Sequence, residues 1–485
     1  MARKLTDAGQ LMVPVSEPKT LDYVVVELRH DSRVAYSKAG FVAPPEQEQN
    51  AKSLNRILET FRAKRIASHF EMTSRPIRER VTAAPSSLRT RVTADFAHAA
   101  FVQVVPGRTK DLSALARRLN GSKSVWKAFV APKPVLPALA IGARVGSRNF
   151  EPAQGYLDSP PNGIGAMAVW PLRGGRGERI TVCDIEGNWN RRHEDLPRGI
   201  RFLGGTVIND VGWRNHGTAV LGEIISRPGE IGTVGIAHRA RGAVHSAIIS
   251  GRWNTALAIR NAARRLRAGD VILIELQGTG PRGNYVAMQY WNDVFSAIRF
   301  ATDRDITVVE AAGNGNENFD SRIYRGTGLQ RDSGAIVVGA GVPPTNFYDY
   351  FGRRPFSGGD PGTRYQHIGV PRSRIWFSNY GKIVNVQAWG WHVTTLGYGD
   401  AQGGSENRWY TLHFSGTSSA SPIVTGAVAC IQGRAKTRRR GLLTPRKVRS
   451  LLIRTGTPQE PGPGAPLRQH IGPQPNLIKA LRRIR

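Results

Sequence analysis

The chain has 485 residues, of which 40% are apolar, and it contains 54 glycines and 30 prolines. This length and composition are typical of a globular, loop-rich protein with one large domain and a smaller one, or with two or three ordinary domains, and they exclude a disordered chain. No run of about 18 apolar residues is present, which excludes a membrane-spanning helix.

The charge balance is strongly basic, because 68 Lys and Arg face 36 Asp and Glu, a net charge of +32. Such a balance favours acidic partners. The arginines are scattered, however, and no nucleic-acid module is recognisable, so we predict no specific nucleic-acid binding. Cys183 and Cys430 lie in apolar segments and are expected to be buried thiols of a reducing compartment. The N-terminal segment turns polar early, and we expect a cytoplasmic protein.

Residues 1–131 are predicted to form a small α+β module. Runs rich in β-branched residues at 23–28, 101–105 and 125–130 predict strands, and apolar stripes at 53–66 and 112–119 predict helices. Residues 132–161 are rich in proline and glycine and are interpreted as a linker.

Residues 162–485 predict an α/β domain with a mostly parallel sheet and helices on both faces. Apolar strands at 179–184, 243–249, 270–276, 306–312 and 335–339 alternate with helices that include 254–267 and 285–302. In such sheets, sites form at the carboxyl ends of the strands. Asp184 and the Gly313–Asn314 turn both fall there.

The stretch around Ser418 has the features that a serine nucleophile needs. A Gly416–Thr417–Ser418 turn leads into a helix of small residues, 423–431. This turn places the hydroxyl at the positive end of a helix, where backbone N–H groups are free to face an anion. The same turn is also an ordinary helix N-cap, so a base and an orienting acid are required in addition.

Three further residues supply a base, an orienting acid and a donor to the oxyanion. His216 begins a second small-residue helix, whose Gly217 and Gly222 are expected to pack against the Ser418 helix. Asp184 ends its strand as an orienting acid, and the amide of Asn314 is available to a developing oxyanion. The order Asp, His, Ser along the chain is the order found in subtilisin.

Over residues 150–485 the chain resembles the subtilases, the subtilisin-like serine peptidases. The resemblance implies peptide-bond hydrolysis through an acyl-enzyme, with protein or peptide substrates and no required cofactor. It assigns Ser418 as nucleophile, His216 as general base, Asp184 as the acid that orients it, and Asn314 as part of the oxyanion hole. The motifs that carry it are Val182-Cys183-Asp184, His216-Gly217-Thr218, Ala311-Ala312-Gly313-Asn314 and Gly416-Thr417-Ser418-Ser419-Ala420-Ser421-Pro422.

The resemblance has further implications outside the four motifs. The N-terminal module resembles a pro-region in its position and in its β-α-β pattern, which implies self-processing in the linker. A permanent accessory domain is the alternative. Structural calcium is common in the family, but no residues are assigned to it here. The expected substrate-binding residues are Glu275, Leu276, Gln277, Gly278, Glu310 and Gly313.

The chain also departs from the family pattern. The first motif carries one residue more than usual before its glycine, so Glu186 competes with Asp184 for the orienting role. Glu275 and Glu310 lie near the expected specificity pocket, where they would select a basic P1 side chain. The alternative is that both glutamates belong to a buried polar network.

Two other functions are weighed against an active endopeptidase. One is a catalytically silent subtilase fold that binds partners, which the presence of all four active-site residues disfavours. The other is an esterase, but the nucleophile-elbow pattern Gly-x-Ser-x-Gly is absent at Ser418.

Overall fold

The computed structural model describes residues 20–29, 34–37, 40–63, 65–68, 101–107, 111–133, 148–344, 369–438 and 441–484. They fall into two compact units. One comprises the described residues of 17–133 together with 252–257, and the other those of 134–251 and 258–485.

The first unit contains an antiparallel sheet of four strands and two helices. Strands β1 (Thr20–Leu28), β4 (Arg65–Ser68), β5 (Phe101–Val105) and β6 (Val125–Pro132) lie in the order β4-β5-β1-β6, and β2 (Ala35–Ser37) pairs with β3 (Gly40–Val42). Helices α1 (Glu48–Thr60) and α2 (Leu112–Asn120) bury their apolar stripes in the core of this unit. The predicted α+β module is therefore confirmed as a fold. Its first helix ends earlier than predicted, because Arg62 adopts a φ of 48° and Ile66 belongs to β4.

The second unit is built on a seven-stranded parallel sheet. In order across the sheet, its strands are β17 (Val384–Trp389), β16 (Ile336–Gly341), β15 (Thr307–Ala311), β12 (Val271–Ile274), β7 (Thr181–Glu186), β9 (Arg241–Ser246) and β8 (Arg201–Gly204). The strands carry Val, Ile, Leu and Ala on both faces, as a sheet covered on both sides requires. The prediction of an α/β fold with a mostly parallel sheet is confirmed.

Further helices and short strands lie in residues 148–484, and those within 252–257 belong to the first unit. The helices are α3 (Ala166–Val169), α4 (Val211–Ile225), α5 (Thr255–Arg265), α6 (Asn292–Thr302), α7 (Thr417–Lys436), α8 (Pro445–Thr455) and α9 (Leu477–Arg482). The short strands are β10 (Ile248–Ile249), β11 (Arg252–Trp253), β13 (Gln277–Thr279), β14 (Tyr285–Ala287), β18 (Val393–Leu396) and β19 (Tyr410–Phe414). The described helices include none that is long and apolar enough to cross a membrane.

Three segments differ from the sequence prediction. The predicted helix 285–302 begins only at Asn292, because Tyr285–Ala287 pairs with Gln277–Thr279 as an antiparallel strand. Residues 148–161 of the predicted linker belong to the large unit, where Phe150 and Tyr156 are fully buried; residues 134–147 lie outside the described part. Strand β7 continues two residues beyond Asp184, because its pairing with β9 runs as far as Glu186 and Ser246.

Candidate active site

Ser418 is the second residue of α7 and is almost completely buried, with 4% of its surface exposed. The residue before the helix, Gly416, adopts a φ of 110°, a conformation that L side chains rarely adopt. A Cβ at that position would also lie 3.0 Å from Nδ2 of Asn314. Glycine therefore lets the helix start abruptly beside Asn314, and the N–H groups of its first turn have no carbonyl within the helix to bind.

Asn314 is held in one orientation by Thr417. Its Oδ1 accepts hydrogen bonds from the Thr417 backbone N at 2.9 Å and from Thr417 Oγ1 at 3.0 Å. Since a backbone N–H only donates, the oxygen of the amide must face Thr417, and Nδ2 is the end that remains for another acceptor. The Asn314 backbone is fixed as well, because its N–H donates to Gln277 Oε1 at 2.8 Å. This geometry suits a donor to an oxyanion.

His216 lies in the second turn of α4 and is completely buried. Its ring packs edge-on against Phe414, with centroids 5.4 Å apart, and Phe414 ends β19 shortly before the serine turn. Nδ1 of His216 lies 2.8 Å from Glu186 Oε1. Among the described residues, Nε2 of His216 has no hydrogen-bond partner, so this nitrogen is available to accept a proton.

Asp184 does not contact His216. Its Oδ2 accepts a hydrogen bond from Trp189 Nε1 at 2.7 Å, and Oδ1 has no partner within the described part of the chain. The acid that bonds to the imidazole is Glu186, whose second oxygen accepts from the Gly187 backbone N at 3.1 Å. The structure thus corrects the assignment of Asp184 as the orienting acid and favours the alternative, Glu186.

The directions of the pKa shifts also distinguish Asp184 from Glu186. Burial raises the pKa of Asp184 well above its usual value, and the neighbouring charge of Glu186 raises it further. Burial also raises the pKa of Glu186, but the contact with His216 offsets part of that rise. We therefore assign the negative charge of the pair to Glu186 and a proton to Asp184.

Helices α4 and α7 are in contact as predicted, but Gly217 and Gly222 face other neighbours. A Cβ on Gly217 would lie 2.3 Å from the Asn188 carbonyl oxygen, and one on Gly222 would lie 2.4 Å from Thr395 Oγ1. These glycines bring α4 against the loop after β7 and against β18. His216 is thereby fixed over the loop that follows Glu186.

A family model matches more than half of the chain. The family model described as the subtilase family of peptidases matches residues 204–471. The chain belongs to the subtilase family. It is a subtilisin-like serine endopeptidase, and proteins or peptides are its substrates. The matched range includes His216, Asn314 and Ser418 but begins after Asp184 and Glu186. No curated protein matches the chain significantly.

Solved subtilases share the fold at low sequence identity. The epidermin leader peptide processing serine protease from Staphylococcus aureus is 15% identical with a TM-score of 0.54, and the match covers 95% of this chain and 98% of that one. Fervidolysin from Fervidobacterium pennivorans, described as a keratinolytic enzyme related to subtilisin, is 16% identical with a TM-score of 0.52. That match covers 96% of this chain and 62% of fervidolysin.

The predicted substrate-binding residues lie around the site, but most are inaccessible. Glu275 and Leu276 are buried, and Gly278 and Gln277 lie in β13, where Gln277 supports Asn314. Gly313 packs against the amide of Asn379. Glu310 is completely buried, and its Oε1 accepts from the Gln289 backbone N at 2.7 Å. Both glutamates are buried, which favours the buried polar network over selection of a basic P1 residue.

Two residues that contribute to the site were not identified from the sequence. Thr417 orients Asn314, and Trp189 supplies the hydrogen bond that Asp184 would otherwise lack. Only the position of Thr417 directly before the nucleophile was a signal in the sequence. Among the described residues, no group of three or more His, Cys, Asp or Glu side chains is placed to hold a metal ion, so structural calcium remains an untested prediction.

Proposed function

We propose that this subtilase hydrolyses peptide bonds with a Glu186–His216–Ser418 triad. The observation that carries the proposal is the 2.8 Å contact between His216 Nδ1 and Glu186 Oε1, next to a serine at a helix N-terminus. In the first step Ser418 Oγ attacks the scissile carbonyl while His216 Nε2 accepts its proton. Glu186 holds the tautomer with the proton on Nδ1 and stabilises the imidazolium that forms.

The oxyanion receives two donors in this mechanism. One is Asn314 Nδ2, whose direction is fixed by the bonds of Oδ1 to Thr417. The other is the backbone N–H of Ser418 in the first turn of α7. Collapse of the tetrahedral intermediate expels the amine, which takes the proton from His216, and water then hydrolyses the acyl-enzyme by the same route.

Exchanging each of the two acids tests which one orients His216. Glu186→Gln removes the carboxylate from Nδ1, and kcat is expected to fall by about 10⁴, as for loss of the orienting acid in other serine peptidases. Asp184→Asn is the matched control, since it changes the same strand two residues away and an amide replaces a carboxyl that is already neutral. A loss in Asp184→Asn as large as that in Glu186→Gln would return the orienting role to Asp184.

We further propose that the N-terminal module is a pro-region that the enzyme removes by cutting within residues 132–161. The position of the module before the peptidase domain and its α+β fold support this proposal. Intact mass and fluorophosphonate labelling of wild type beside Ser418→Ala test it. We expect a labelled, shortened wild type and an unlabelled, full-length variant. Labelling without shortening would make the module an accessory domain.

The same labelling distinguishes the alternatives to a peptidase. If neither protein is labelled, even after the module is removed, the chain is a silent binding protein. A labelled enzyme that cleaves short-chain esters but not casein would instead be an esterase.

A further inference from the structure

Glu275 lies directly beneath the serine helix. It follows β12, whose register pairs Leu273 with Asp184 and Ile274 with Ile185 of β7. Extending this register by one residue sets Glu275 opposite Glu186, and alternation then places both side chains on one face of the sheet. Helices α4 and α7 cover that face, since Glu186 contacts His216 and Glu275 contacts Ser421.

The hydrogen bonds of Ser421 show which partner carries the proton. Ser421 Oγ lies 2.7 Å from the Thr417 carbonyl oxygen and also makes a short contact with Glu275 Oε1. A hydroxyl has one proton and a carbonyl oxygen only accepts. Both contacts are full hydrogen bonds only if Ser421 donates to Thr417 and Glu275 donates to Ser421. An ionised Glu275 would leave two acceptors competing for one proton.

The surroundings of Glu275 favour the protonated form as well. The titratable groups that face it are Asp184 and Glu186 from β7 and His216 and Glu223 from α4, while α7 presents the hydroxyls of Ser418 and Ser421. Asp184, Glu186 and Glu223 are completely buried, and Glu275 is 3% exposed. His216 is the only base among them, and it is already bound to Glu186. Four buried carboxyls cannot all be ionised beside one imidazole.

Glu223 strengthens this conclusion. It lies two turns after His216 on α4, and in the described part of the chain neither of its oxygens has a hydrogen-bond partner. Burial raises its pKa well above the usual value, and the charge of Glu275 raises it further. Two Tyr hydroxyls border the cluster, Tyr398 near Glu186 and Tyr156 near Glu223. Any charge on Glu275 would thus be surrounded by acids and phenols.

We propose that Glu275 is a positioning residue for Ser418 and works as a neutral carboxylic acid, donating the hydrogen bond that holds Ser421 and the first turn of α7. The proposal rests on the proposed function of Ser418 as nucleophile. Loss of the proton would break this hydrogen bond and put a negative charge beneath the oxyanion site. The peptidase is therefore expected to lose kcat at alkaline pH as Glu275 ionises.

The test compares Glu275→Gln with Glu275→Ala by measuring kcat, KM and their pH profiles on a peptide substrate. Glutamine is neutral and keeps a donor, so kcat is expected to stay near that of wild type and to decline less at alkaline pH. Alanine removes the support of α7, and a misplaced nucleophile is expected to cost about a hundredfold in kcat with little change in KM. An equal loss in both variants, or an unchanged alkaline decline in Glu275→Gln, would overturn the proposal.

Glu310→Gln is the matched control for the alkaline decline. Glu310 is also a buried acid, but its register with Ile274 places it on the opposite face of the sheet from Glu275. We expect this control to keep the wild-type decline, and a decline flattened by Glu310→Gln instead of by Glu275→Gln would refute the role of Glu275.

A second measurement does not depend on activity. Infrared difference spectra of wild type against Glu275→Gln should show one protonated carboxylic acid lost near neutral pH, even if Ser418 is not labelled by fluorophosphonate. Absence of that band contradicts a neutral Glu275, whereas absence of labelling contradicts the proposed function.

Discussion

Replacing Glu310 with glutamine is expected to weaken the pH dependence of stability. Burial raises the pKa of Glu310 from 4.5 to about 8, although its Oε1 accepts a hydrogen bond from the Gln289 backbone. Its Oε2 has no partner among the described residues. The folded protein therefore binds a proton that the unfolded chain has already lost, and the free energy of unfolding falls as the pH rises through this interval.

The size of the effect follows from the shift. At 1.36 kcal/mol per pKa unit, the wild-type free energy of unfolding should fall by about 4 kcal/mol between about pH 5 and pH 9 because of Glu310. Glutamine has no proton to lose, so the free energy of unfolding of Glu310→Gln relative to wild type should rise by about 4 kcal/mol over the same pH interval.

Urea unfolding curves at several pH values measure this difference directly. Both proteins carry Ser418→Ala, which prevents self-digestion and leaves Glu310 unchanged. The other buried acids are present in both proteins, so their contributions cancel in the comparison. A stability difference that stays constant across the pH range would refute the reasoning, because it would mean that Glu310 ionises alike in the folded and unfolded chain.

Three further substitutions test the geometry of the site. Asn314→Ala should lower kcat by about 10² to 10³ in steady-state assays with KM nearly unchanged, since it removes an oxyanion donor; a loss confined to KM would contradict this. Thr417→Val keeps the backbone donor to Asn314 but loses the hydroxyl, and single-turnover acylation should slow by about tenfold, the worth of one hydrogen bond. Gly217→Ala would place a Cβ 2.3 Å from the Asn188 carbonyl oxygen, and guanidinium unfolding should show a loss of about 1 to 3 kcal/mol. Gly229→Ala is its control, because no atom lies closer than 4.0 Å to the added Cβ, and equal losses in both would refute the clash.

The local motifs were readable from the sequence because each is fixed by short-range geometry. The serine turn needs a glycine at positive φ before a helix, and Gly416 supplies it directly before Thr417 and Ser418. Apolar strands alternating with helices were enough to predict the parallel sheet. The antiparallel pairing of Gln277–Thr279 with Tyr285–Ala287 was missed, since its apolar residues also fit the start of the predicted helix.

The orienting acid was harder to predict, because the decision depends on where a strand ends. Asp184 and Glu186 lie two residues apart on β7, so their side chains share one face of the sheet and alternation does not choose between them. The position of His216 along β7 decides which of the two acids its Nδ1 reaches. That position depends on how α4 packs against Asn188 and Thr395, which is tertiary information that the residues around Asp184 do not contain.

Glu186 and Glu275, two glutamates at which this subtilase departs from the family pattern, belong to one layer on the same face of the sheet. With Glu186 as the orienting acid, the carboxylate lies beside Glu275, the first residue after β12. Asp184 lies on the same face of the sheet, two residues earlier in β7. The hydrogen bond from His216 Nδ1 stabilises one negative charge, which Glu186 carries. We expect the remaining acids of the layer to keep their protons. Asp184 still accepts the hydrogen bond of Trp189 through Oδ2, and Glu275 donates to Ser421. Glu275 and Asp184 are therefore alike in one respect, since we expect this site to hold both buried acids in the neutral form.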